Sequence, residues 1–196
     1  MLTRTVLLLL ATCAAQSLAA DAYHLDPAKT RVEFDVERFG MLWVTAFFPV
    51  FSGDFVFDRT GSASRVDVEV QVASVDCHDP RWNLRLRSRE WLDAQTYPQM
   101  TYHSSQVQFD AAHRATARGL LSLHGITRPV VLHVSELECE AGRPSASCRF
   151  VARASISRSE YGLPHGFWTG GDQVDILLSG VGTRAASGDL ARQDGT

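Results

Sequence analysis

Apolar and polar residues alternate along most of this chain. Val32, Phe34 and Val36 interleave with Arg31, Glu33, Asp35 and Glu37, the period of a strand with one buried face. Phe55 and Phe57 flank Val56 ahead of a turn at Asp58-Arg59-Thr60-Gly61, and Val66, Val68, Val70 and Val72 alternate with Asp67, Glu69 and Gln71. Further strands are predicted over Met100 to Phe109, Ala115 to Leu123, Pro129 to Leu137, Arg149 to Ile156 and Gln173 to Val181. Turn residues separate nearly all of them.

Two stretches break the pattern. Asp79-Pro80 carries the signal of a helix start, and Leu84, Leu86, Trp91 and Leu92 suit a short amphipathic helix better than a strand. Tyr161 to Gly171 is rich in glycine and aromatic residues and reads as a loop. No internal repeat or linker divides the chain, so one all-β domain is expected. Many short antiparallel strands with one apolar face fit either a sandwich or a closed barrel. The number of large apolar residues on the expected inner face favours the barrel, since a barrel of about eight strands has room for one ligand.

The N-terminus adds a compartment. Arg4, the ten-residue apolar run Val6 to Ala15 and the small residues around Ser17-Leu18-Ala19 form a secretory signal pattern, taken as residues 1–19. The run falls short of the roughly 20 apolar residues that span a bilayer. A lipoprotein reading of Leu10-Ala11-Thr12-Cys13 is disfavoured by the threonine. The expected product is a periplasmic domain over residues 20–183 followed by a small, polar, disordered tail over 184–196. Losing Arg4 with the leader takes the formal charge from -3 to -4, which argues against nucleic acid as a partner. Arg81, Arg85, Arg87 and Arg89 form the one local basic cluster, read first as a solvated helix face balanced by Glu90 and Asp93.

Export also bears on the cysteines. Cys139 and Cys148 flank Glu140-Ala141-Gly142-Arg143-Pro144, a turn-forming segment, and are candidates for a disulfide across a hairpin. Closing so short a loop contributes about 2–3 kcal/mol in the chain-entropy model. Cys77 is left over and has no second ligand at metal-binding spacing, so it reads as a buried or loop thiol. His124 suits a loop-shaping hydrogen bond to backbone, while His103 and His133 sit on strands and could meet in space. H-E-x-x-H, C-x-x-C, C-x-x-C-H and G-x-S-x-G are all absent. No catalytic residue, metal or cofactor is expected. A lipid hydrolase would need a nucleophile and base in contact, for instance Ser159 near His165.

A set of ordered motifs then points to a family. They begin with Tyr23-His24-Leu25-Asp26-Pro27, Val32-Glu33-Phe34-Asp35-Val36 and Phe48-Pro49-Val50-Phe51-Ser52-Gly53-Asp54-Phe55-Val56-Phe57-Asp58. Asn83-Leu84-Arg85-Leu86-Arg87-Ser88, Trp91-Leu92-Asp93, Tyr97-Pro98 and Gly119-Leu120-Leu121-Ser122-Leu123-His124-Gly125-Ile126-Thr127-Arg128-Pro129 follow. Ile156-Ser157-Arg158-Ser159-Glu160-Tyr161-Gly162-Leu163 and Gly171-Asp172-Gln173-Val174-Asp175-Ile176 complete the order. Together they resemble the YceI-like family of periplasmic, lipocalin-like proteins associated with polyisoprenoid binding, from Tyr23 to about Val181. The resemblance implies an extended eight-stranded antiparallel barrel, a helical segment near one opening and a tunnel for a long apolar chain. Arg38 stands where the family often has His, and Ala46 where it often has Gly.

Each buried methylene is worth about 0.8 kcal/mol, so an isoprene unit contributes roughly 3–4 kcal/mol. Association costs about 4–15 kcal/mol, so several units must be enclosed. The expected lining is Phe34, Val36, Phe55, Phe57, Val68, Val70, Leu86, Trp91, Leu123 and Leu132, with ordinary core packing as the alternative at each. Arg38 and Arg85 are candidates for a phosphate or carboxylate head. On this facing Val70→Arg blocks the container and Val56→Arg does not. The leading expectation is a carrier for a polyisoprenoid, an isoprenoid quinone or a fatty acid derivative. The alternative is a non-catalytic interaction protein of membrane redox or stress physiology, since the resemblance also implies a cytochrome b561-type membrane partner. Dimers among relatives leave a homodimer open.

Overall fold

The computed structural model describes residues 21–38, 42–58, 64–110, 114–140, 146–166 and 169–185. The expected leader 1–19, and the tail from residue 186 on, lie outside the described residues. Among these residues ten strands form one antiparallel sheet: β1 (Asp21–Leu25), β2 (Arg31–Arg38), β3 (Leu42–Phe47), β4 (Phe51–Phe57), β5 (Arg65–Gln71), β6 (Gln99–Phe109), β7 (Ala115–Leu123), β8 (Ile126–Cys139), β9 (Ser147–Ser157) and β10 (Gln173–Arg184). Among the described residues a single α-helix, α1 (Pro80–Arg87), stands between β5 and β6.

The ten strands make an eight-strand closed barrel because two long strands are each broken once. Asp26-Pro27 interrupts the first into β1 and β2, and Pro49 interrupts the second into β3 and β4, where a missing N–H cannot continue a ladder. β10 straddles the first break. Its Val174 to Ser179 pairs with β2, and its Gly182 to Arg184 pairs with β1 and closes the barrel. β4 continues the circuit to β5, while β3 meets that side only through the Phe47–Asp76 bridge. The last pairing of β10 is between Arg184 and Tyr23.

Inward residues fill the interior in two tiers. At the end away from α1, Tyr23 stacks on Phe55 with centroids 5.0 Å apart, and Phe55 meets Phe150 edge-on at 5.7 Å. Phe57 meets Phe109 in the same manner at 5.0 Å. A Cβ at Gly182 would overlap the Phe55 ring, so a glycine in β10 is what lets that ring lie against the wall. Cys139 and Cys148 face one another across β8 and β9 and form a disulfide with Cα atoms 4.0 Å apart.

Three sequence expectations shift. β1 and β3 are strands although neither shows clean alternation; Leu42-Trp43-Val44-Thr45-Ala46-Phe47 is nearly all apolar. Val72 does not extend β5 but starts the 3-10 turn Val72–Ser74. The helix ends at Arg87, so Trp91 and Leu92 lie in the turns after it. Ser88 stops it by extended backbone and by giving its hydroxyl to the Arg85 carbonyl at 2.7 Å.

Candidate functional site: an apolar cavity under the helix

The end of the barrel beside α1 holds a cavity of about 250 Å³. Its walls come from the inward pleats of β2, β3, β9 and β10, where Phe34, Val36, Val44, Ile156 and Ile176 line it. Met100 and Leu123 border it, and Trp82, Leu86, Trp91 and Leu92 cover it from α1 and the following turns. Asp79 starts that helix, accepting the Arg81 backbone N–H at 2.9 Å, with Pro80 in the first helical turn where its missing N–H costs nothing. Trp82 and Leu86 are one turn apart and so share the face that looks inward.

The cavity reaches solvent beside β3. Val44 lines it and is 38% exposed, with Leu42 and Trp43 exposed next to it. Arg81 and Arg85 hold the outer side of α1. Arg81 pairs with Asp79 at 3.1 Å, and Arg85 lies over the rings of Trp82 at 5.4 Å and Trp91 at 5.9 Å.

Among the described residues Glu33, Asp79 and Arg158 are the charged residues on the cavity wall, and of these Arg158 alone is buried. Arg158 is 4% exposed and lines the cavity. One terminal nitrogen donates to the Thr169 carbonyl at 3.0 Å and the Gly171 carbonyl at 3.1 Å, and the other donates to the Pro164 carbonyl. Its guanidinium also sits 5.3 Å from the Trp91 ring centre. Burial lowers its pKa from the ordinary arginine value, opposed by the nearby Asp172 carboxylate. Asp172 is itself held below the usual carboxylate range by hydrogen bonds from the Ser159 backbone N–H at 2.7 Å and hydroxyl at 2.9 Å.

A second apolar cavity of about 60 Å³ lies in the other tier, bordered by Phe55, Phe57, Val68, Leu132, Phe150 and Leu178.

The YceI-like domain model matches residues 23–181. The chain belongs to the YceI-like family. A UPF0312 protein of Serratia proteamaculans is 31% identical over 194 residues, covering 94% of this chain and all of that protein. Among solved structures, Burkholderia cenocepacia BcnA superposes with a TM-score of 0.67 at 24% identity, covering 83% of this chain and 99% of that one. A polyisoprenoid binding domain from Saccharophagus degradans implicated in plant cell wall breakdown superposes with a TM-score of 0.59 at 19% identity, over 83% of this chain and 98% of that one. Both likenesses are of fold.

In this YceI-like barrel the expected lining residues divide between the two tiers. Phe34, Val36, Leu86, Trp91 and Leu123 border the upper cavity, and Phe55, Phe57, Val68 and Leu132 border the lower one. Val70 borders neither and is core at 3% exposure. Arg85 does not line the cavity, being exposed and stacked on tryptophans. Arg38 ends β2, and its side chain lies outside the described residues. The arginine enclosed with the cavity is Arg158. Its position two residues after the inward Ile156 is the signal that finds it, since residues two apart share a face.

Other expectations are corrected. Val56 sits between the inward Phe55 and Phe57 but is only 7% exposed, so Val56→Arg is not a harmless counterpart to Val70→Arg. His103 and His133 do not meet: His103 pairs with Asp67, and His133 lies opposite Thr116 and Arg153. The Ser159 hydroxyl donates to Asp172 rather than to His165, whose Nδ1 is 3.9 Å from the same carboxylate and 3.2 Å from the Leu163 carbonyl. Of the arginines of α1, Arg81 pairs with Asp79 and Arg87 donates to the Val75 carbonyl at 3.0 Å. His124 does shape its loop: with φ at 52° it donates from Nδ1 to the Tyr161 carbonyl at 3.1 Å and lies against Tyr97.

Proposed function

We propose that this protein is a periplasmic binding or carrier protein for an amphipathic lipid of the isoprenoid or fatty-acyl kind, held with its chain in the upper cavity. The observation that carries the reading is an apolar cavity that opens at one side and contains a single enclosed guanidinium. Apolar walls make binding scale with buried chain area, and the one buried charged group, Arg158, gives orientation. Three of the five N–H groups of Arg158 serve the loop carbonyls, and a phosphate or carboxylate head would take those that remain. The polyisoprenoid binding domain from Saccharophagus degradans, which shares the fold, supports the same ligand class. Trp43, Leu42 and Val44 at the opening would give a lipid chain an apolar path from a membrane or a membrane partner into the cavity.

The test is native mass spectrometry of protein purified from its own periplasm, followed by extraction and lipid analysis. A stoichiometric lipid with a single ionised head is expected. Protein that stays empty after mild purification, and that takes up no prenyl or fatty-acyl lipid in titration, rejects the carrier and leaves the docking role.

A further inference from the structure

Charge is spread unevenly over this protein. On the barrel, Lys29, Arg65, Arg114 and Arg184 each sit against a carboxylate. α1 and the turn after it carry Arg81, Arg85, Arg87 and Arg89 against Asp79 and Glu90, in a chain whose formal net charge is -3. Arg81 is paired with Asp79, but Arg85 and Arg89 are exposed and have no carboxylate partner among the described residues. Leu84 stands among them, at 69% exposure the most exposed large apolar side chain described. Trp82 and Leu86 face the cavity, and Leu84, two residues from each, takes the opposite side of the helix. α1 thus spends one apolar face on the cavity and turns a leucine set among arginines to the outside.

Apolar exposure recurs at the opening beside β3. That strand pairs with β2 along one edge, and its other edge has a single bridge among the described residues, from Phe47 to Asp76. Edge strands are ordinarily protected by charge or proline, whereas Leu42, Trp43 and Val44 leave this one exposed and apolar. The outward residues of β2 are acidic, with Glu37 opposite Trp43 and Asp35 opposite Thr45, so the basic contact belongs to α1 and not to the barrel wall beside it.

We propose that the outer face of α1 docks the protein on an anionic phospholipid bilayer, with the exposed residues of β3 at the membrane surface, so that the cavity opening meets its lipid there. The arginines are drawn to lipid phosphates, and Leu84 and Trp43 enter the interfacial layer, where leucine area is buried and tryptophan is favoured. An acidic protein would meet the arginines equally well but gives no use to an apolar opening. The choice of a bilayer therefore rests on the reading of the upper cavity as a lipid site.

Flotation with vesicles of phosphatidylcholine, alone or with about 30% phosphatidylglycerol, tests the docking face. Wild type should bind the anionic vesicles at least about tenfold more tightly than the neutral ones, with the preference fading as salt rises. Arg85→Gln combined with Arg89→Gln should remove most of that preference, and Leu84→Ser should weaken binding to the anionic vesicles about threefold. Arg118→Gln combined with Arg149→Gln makes the same change of net charge at exposed positions of β7 and β9, level with the lower cavity, and should leave the preference intact. Equal binding of wild type to the two vesicles, or equal losses in the two double variants, overturns the docking face. Uptake of dispersed farnesyl phosphate, read by native mass spectrometry, reports the cavity separately. Wild type that takes up this lipid but ignores both vesicles keeps the lipid site and loses the docking face, leaving the arginines to an acidic protein partner. Wild type that floats through α1 and takes up no lipid keeps the docking face and loses the lipid site.

Discussion

Tyr161→Phe tests how the interior treats a hydroxyl that has no partner. Tyr161 is completely buried, and its hydroxyl finds no hydrogen-bond partner among the described residues. Burial, with the Glu160 carboxylate nearby, pushes its pKa from 10.0 to about 12, against a smaller opposing effect of Arg128. In the unfolded chain the phenol ionises near its ordinary value. Between those two values the native state therefore holds a proton that the unfolded state has lost, and stability falls as pH rises through that window. Two pKa units correspond to roughly 2–3 kcal/mol. Below 10.0 the group is protonated in both states, and the phenylalanine variant should match wild type or exceed it by up to about 1 kcal/mol, since only an unsatisfied hydroxyl is removed. Urea titrations of both proteins at a series of alkaline pH values give the difference directly. Tyr102, whose pKa burial also raises, is present in both proteins and cancels in that difference. Parallel loss of stability in the two proteins up to pH 12, which would mean the native phenol ionises as readily as the unfolded one, or a variant weaker by more than about 1 kcal/mol at neutral pH, which would mean the hydroxyl is bonded, would refute the reasoning.

Arg158→Met should cost about 3 kcal/mol in urea denaturation at neutral pH, because the Pro164, Thr169 and Gly171 carbonyls lose a charged donor. A change within about 0.5 kcal/mol would mean that the loop does not depend on the guanidinium. Replacing Cys139 and Cys148 together by alanine reopens a loop with a sequence separation of 9 and should lower stability by about 2–3 kcal/mol, read by thermal melting in parallel with the oxidised parent. Identical melting of the two proteins would place the hairpin's stability in the β8–β9 ladder rather than in the covalent link.

Alternation made the inner surface legible. Phe34, Val36, Phe55, Phe57, Val68, Leu123 and Leu132 each border a cavity because side chains two apart on a strand share a face, and polar residues between them mark the outside. The same rule misses Val56, which sits between two inward phenylalanines yet is buried and borders the lower cavity. It is silent on β3, whose apolar residues do not alternate because Trp43 and Leu42 stay apolar at exposed positions. The helix was overextended because apolar spacing continues through Trp91 and Leu92, while the actual stop is a hydroxyl-to-carbonyl bond at Ser88 that periodicity does not register. Division of the interior into two tiers was least accessible to the sequence. It depends on which residues of neighbouring strands share a level, and the bulges between Ser104 and Gln106 and between Val134 and Glu136 shift that register without changing the alternation on either side.

The two tiers also differ in what they make a ligand do. The lower tier is bounded by stacked and edge-on aromatic rings and by apolar aliphatics, so it offers a bound molecule area and nothing else. In the upper tier a desolvated guanidinium is kept beside an apolar wall, a combination costly enough that three carbonyls and a tryptophan face are arranged to offset it. A pure hydrocarbon would gain nothing from that charge and would leave it in an apolar environment. An amphiphile with one acidic head gains both a charged hydrogen bond and the burial of its chain. Arg158→Met should accordingly weaken a prenyl or acyl phosphate far more than the alcohol of the same chain. Equal losses for the two would assign the arginine to the loop alone.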